Sequence, residues 1–118
     1  MTRRRLAAVL VAGVALAAPA SAGAHTGVKR YSPTPNGTAS RSLPSVRVTF
    51  QSRVADANLT VVRGDTTVSR GTGRVVKDGR QVRTRLRGGL EAGRYRATVR
   101  WLSSDGHVQS TSWSFRLR

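Results

Sequence analysis

Arg94-Tyr95-Arg96-Ala97-Thr98-Val99-Arg100-Trp101 is the stretch on which the fold is decided. Tyr95, Ala97, Val99 and Trp101 alternate with Arg94, Arg96, Thr98 and Arg100, so a strand here carries four apolar side chains on one face and polar ones on the other. A second stretch repeats the pattern: Trp113, Phe115 and Leu117 alternate with Ser112, Ser114, Arg116 and Arg118. Between them stands Ser103-Ser104-Asp105-Gly106-His107-Val108, whose Asp-Gly pair is turn chemistry. The two strands are expected to pair and to turn both tryptophans toward a core.

Working upstream, Asp78-Gly79 separates Arg74-Val75-Val76-Lys77 from Gln81-Val82-Arg83-Thr84-Arg85-Leu86. That dipeptide suits a two-residue hairpin turn because its second position accepts positive φ. Leu59 to Val62, opened by Asn58 and closed by Gly64-Asp65, reads as another strand, with Thr66 to Ser69 as a short edge segment. Val46, Val48 and Phe50 alternate with Arg47 and Thr49. His25 to Ser32 is extended and ends at the turn residues Ser32-Pro33-Thr34-Pro35-Asn36-Gly37. After residue 24 no segment keeps a 3.6-residue apolar period over three turns, which leaves almost no helix. The expectation is an all-β fold, an immunoglobulin-like Greek-key β-sandwich of about seven short strands. Cysteine is absent, so the core and the sheet ladders hold this domain together without disulfides.

The N-terminus reads differently. Arg3-Arg4-Arg5 precedes an unbroken apolar run from Leu6 to Ala18, followed by Pro19 and small residues. Basic, apolar and small-residue regions in that order are a cleavable export signal. The apolar run is about 13 residues, short of the roughly 20 a membrane span needs, so no transmembrane segment is expected in the mature chain. Ala20-Ser21-Ala22 and Ala22-Gly23-Ala24 both fit the cleavage rule. Taking the second divides the chain into a signal peptide, residues 1–24, and one domain, residues 25–118, exported to the periplasmic space, the extracellular medium or the cell envelope.

That cut makes His25 the first residue of the mature chain. An N-terminal histidine chelates with its α-amine and ring Nδ1, and the chain's other histidine, His107, stands two residues from Asp105. Three nitrogens and an oxygen suit the tetragonal preference of divalent copper. Zinc accepts similar donors without that preference. Met1 is the only methionine, so the mature chain has no soft sulfur ligand for monovalent copper. Each part also has a plainer explanation. Asp-Gly-His in a β-turn is commonly turn chemistry, residues after a signal are commonly disordered, and the tryptophans with Phe115 belong to the core. A Ser-His-Asp triad is excluded, because Ser103, Ser104, Asp105 and His107 are too close along the chain to adopt its geometry.

In four places the chain resembles the small periplasmic copper-resistance proteins of the CopC family: Ala24-His25, Ser32-Pro33 with Asn36-Gly37, Val48-Thr49-Phe50, and Trp101 to His107 followed by Ser112-Trp113-Ser114-Phe115. The resemblance implies a secreted β-sandwich in which His25, Asp105 and His107 bind Cu(II). Gln51-Ser52-Arg53 follows Phe50 where some family members have an acidic residue, which leaves the fourth position to water.

The expected function is that of a non-enzymatic copper carrier or buffer in copper homeostasis and resistance, a monomer that exchanges copper with a membrane copper transporter. Two alternatives remain at this level. One is a copper-dependent monooxygenase, which also uses an N-terminal histidine chelate but wants an aromatic platform this chain lacks. The other is a metal-free cationic module, suggested by 21 basic against five acidic side chains and a formal net charge of +16, that binds anionic polymers by counterion release. The arginines are not interleaved with aromatics, so specific nucleic-acid binding is not expected.

Overall fold

In the computed structural model, which describes residues 26–118, the alternating stretches form two long paired strands. The nine strands among the described residues are β1 (Val28–Ser32), β2 (Thr38–Ala39), β3 (Ser45–Phe50), β4 (Val54–Arg63), β5 (Thr66–Thr67), β6 (Ser69–Val76), β7 (Gln81–Leu86), β8 (Gly93–Ser103) and β9 (Val108–Leu117). Residues 1–24 and His25 lie outside the described residues.

The strands build two sheets, ordered β1-β3-β7-β6 and β2-β9-β8-β4-β5. All pairings are antiparallel except β2 with β9, which is parallel. β8 and β9 pair from Gly93↔Leu117 to Leu102↔Val108, which sets Ala97 opposite Trp113 and Tyr95 opposite Phe115. The apolar set of each strand faces the other sheet: Val46, Val48, Phe50 and Val82 from one side, and Leu59, Val61, Tyr95, Val99 and Phe115 from the other, are all 2 % exposed or less. Burial of each such side chain contributes roughly 1.5–3 kcal/mol. Tilted ring pairs, Phe50 with Trp101 at 5.4 Å and Tyr31 with Trp113 at 4.6 Å between centroids, link the two layers.

The chain changes sheet at Val68. Its N–H donates to Val61 O, and the hydroxyl of the next residue, Ser69, accepts the N–H of Val61. This all-β sandwich is the expected fold, with more strands than the seven foreseen. The additions are the two-residue β2 and β5, the latter within the short edge segment foreseen at Thr66 to Ser69, and β4 extends N-terminally beyond the strand foreseen from Leu59. β4 starts at Val54 because a register shift between Val54 and Asp56 lets the pairing with β8 continue past a break in alternation. The Asp78-Gly79 turn forms as expected: both residues have positive φ, 58° and 83°, and Arg80 N–H donates to Lys77 O.

Candidate metal centre

The β8–β9 connection is a compact loop whose geometry follows from its sequence. Ser103 N–H donates to His107 O at 2.9 Å and Gly106 N–H donates to Ser103 O at 2.9 Å. Gly106 takes φ 91°, a conformation that side chains oppose and glycine does not. Asp105 then bonds its own loop: Oδ1 accepts the His107 N–H at 3.0 Å, the side chain-to-backbone contact that aspartate favours in turns. Its second oxygen, Oδ2, lies 3.0 Å from His107 Nδ1.

Both carboxylate oxygens therefore hold the one histidine. A neutral imidazole that donates from Nδ1 carries its lone pair at Nε2, and carboxylates bonded to metal-binding histidines characteristically orient the ring this way. The His107 side chain is 62 % exposed and that of Asp105 only 20 %, so the ring is the outer of the two groups. Asp105 and His107 come together as expected. His25 lies outside the described residues, and among these no group of three His, Cys, Asp or Glu side chains could hold a metal ion.

Thr26 and Gln109, which sequence reasoning did not single out, join Ser52, Trp101 and Ser103 in tying the first described residue to this loop. Thr26 is 3 % exposed. Its N–H donates to Ser103 Oγ at 3.3 Å, its carbonyl accepts the indole N–H of Trp101 at 2.9 Å and the side-chain amide of Gln109 at 3.1 Å, and its hydroxyl bonds the Ser52 hydroxyl at 2.8 Å. Gln109 also donates to Ser103 Oγ at 2.9 Å. A buried indole N–H needs an acceptor, which was the one signal that Trp101 does more than fill the core. Trp113 does the same elsewhere, donating to Pro33 O at 2.9 Å.

Fold and site together define a small β-sandwich with a carboxylate–imidazole loop beside Thr26. The chain belongs to the CopC domain family, whose model matches residues 28–118. Among solved structures it is similar to CopC from Methylosinus trichosporium OB3b, with 22% identity, coverage of 79% of this chain and 93% of that one, and a TM-score of 0.65. It is also similar to PcoC, a methionine-rich copper resistance protein from Escherichia coli, with 21% identity, coverage of 80% and 100%, and a TM-score of 0.65. At these identities the likeness speaks for the fold. No curated protein matches the chain. Unlike a methionine-rich relative, this chain has Met1 alone.

Proposed function

We propose that this protein is an exported, non-enzymatic copper carrier or buffer that binds one Cu(II) as cargo through His25, Asp105 and His107 once residues 1–24 are removed. The observation that carries the proposal is the anchoring of Thr26. Any residue joined to its nitrogen has its Cα about 3.8 Å from the Thr26 Cα. The Thr26 N–H is itself bonded to Ser103, the first residue of the loop that bears Asp105 and His107. The anchoring of Thr26 at this loop supports a ligand role for the residue joined to it, the freed N-terminal histidine of the processed chain. The remaining donors are nitrogen and oxygen, which suit Cu(II) rather than Cu(I). Family membership and the likeness to PcoC, a copper resistance protein, support copper as the cargo, and a membrane copper transporter is the partner this role calls for.

The test is Cu(II) titration of the processed chain, followed by electron paramagnetic resonance. His107→Ala and an added glycine ahead of His25 are each expected to remove high-affinity binding and the nitrogen-rich signal. Asp105→Asn removes the charge of the oxygen ligand but keeps an acceptor for the ring, and is expected to weaken Cu(II) binding by less than the loss of either nitrogen donor. Because each nitrogen must shed its proton to bind, loading falls as the solution is acidified. Undiminished affinity in the glycine-extended chain overturns the proposal.

A further inference from the structure

The outer face of the β1-β3-β7-β6 sheet carries an arrangement that the sheet's own stability does not call for. Register sets Arg83 of β7 directly between Arg47 of β3 and Arg74 of β6, and in the next row Arg85 lies directly opposite Arg70. Directly opposed residues have Cβ atoms about 4.5–5.5 Å apart, and like charges so placed destabilise a sheet. All five side chains are exposed. The five acidic residues are Asp56, Asp65, Asp78, Glu91 and Asp105, and none of them lies in β1, β3, β6 or β7. Among the described residues, none of these five arginines forms an ion pair; the acids Asp78 and Glu91 pair with Arg53 and Arg63 instead.

The face is also concave. Between Arg70 and Arg74 the register shifts, and Gly71-Thr72-Gly73 bulges from the edge strand with positive φ at both glycines, 71° and 92°. Bulges of this kind re-aim side chains at the rim of a sheet. Two neighbouring depressions, of about 640 and 370 Å³, share Arg70, Arg83 and Arg85; Arg74 and the bulge line the second. The cationic residue used is almost always arginine: in residues 26–118, Lys29 and Lys77 are the only lysines. A planar guanidinium that grips two oxygens at once fits phosphate better than the point charge of lysine.

The outer face of the other sheet offers a contrast. There Arg100 of β8 lies between Asn58 and Ser110, Thr98 between Thr60 and Ser112, and Arg96 between Val62 and Ser114, and the like-charge opposition on this ladder is the single pair Arg94 with Arg116 near its end.

We infer that the bulged arginine face of β3, β7 and β6 is a binding groove for a linear phosphate polymer without bases. A concave groove walled by arginines takes a chain of phosphates, whereas a bilayer would meet a flat face. Among the described residues no exposed aromatic stands on this face to stack a base, which separates the partner from nucleic acid. The groove is on the sheet that does not contain the Asp105–His107 loop, so the proposal is independent of the copper reading.

The experiment is calorimetric titration of the full chain with inorganic polyphosphate from about 50 to about 200 mM salt. The double variant Arg83→Gln/Arg85→Gln is compared with Arg94→Gln/Arg96→Gln, which loses the same charge from the other sheet, and circular dichroism verifies that both remain folded. The first is expected to weaken binding roughly tenfold or more and to lower the slope of log affinity against log salt by roughly 1.5, two contacts' worth. The second is expected to change affinity less than about threefold. Equal losses in the two variants mean bulk charge and overturn the proposal. So does tighter binding of duplex DNA with the same arginine dependence, or capture by vesicles of anionic lipid when polyphosphate is not bound.

Discussion

At the scale of single residues, the two tryptophans show how one side-chain type serves two purposes. Each is buried and each donates its indole N–H to a backbone carbonyl, Trp101 to Thr26 and Trp113 to Pro33. Replacing either with phenylalanine keeps most of the apolar bulk and removes one hydrogen bond, at a cost of about 1 kcal/mol. Thermal unfolding should therefore move down by roughly 4–8 °C in both. Only Trp101→Phe loosens Thr26, so only that variant is expected to lower copper affinity as well. Equal copper affinity in the two variants would separate the Thr26 anchor from metal binding.

At the scale of elements, the cross-strand arginines set a cost against register. The core alternation of β3 and β7 places Val48 opposite Val82, and one consequence is that Arg47 must face Arg83. A slip by one residue would relieve the repulsion and expose the apolar set, so the arginines stay where the core puts them. Arg83→Thr removes two like-charge oppositions, each worth roughly 0.2–1 kcal/mol, and introduces a better strand former. It is expected to raise the unfolding midpoint at low salt, by less as salt is added; an unchanged midpoint would show that the pairs are already fully screened. The strands most plainly legible in the sequence were those with strict alternation, β3, β7, β8 and β9, while β1, the later part of β4 and the end of β6 were read from the turn residues that bound them. β2 was not legible because Thr38 and Ala39 are held by pairing with Arg116 and Leu117, residues far along the chain, and not by any local pattern. The start of β4 was obscured because Ala55 and Asp56 are both exposed, which breaks the period. The Asp105–His107 pair was legible because two-residue spacing at a tight turn leaves little freedom. The four bonds on Thr26 were not, since their donors and acceptors lie between 26 and 83 residues away.

At the scale of the whole molecule, residues 26–118 hold 18 basic and five acidic side chains in a single sandwich. Such an excess repels itself in the folded state more than in the expanded chain. Exposed charges separated by more than about 8 Å are screened at physiological ionic strength. Unfolding followed by circular dichroism from low to physiological salt should thus show a rising midpoint, and a flat profile would mean that the arginines repel too weakly to matter. Among the described residues there are four sheet margins. In the larger sheet they are the two-residue strands β2 and β5, and in the smaller sheet the five-residue β1 and the kinked β6. Unpaired margins invite strands of other molecules, and short, charged or kinked ones refuse them. The three-residue kink that shapes the groove thereby also guards against fibril growth: straightening it would leave eight consecutive residues open to templated aggregation.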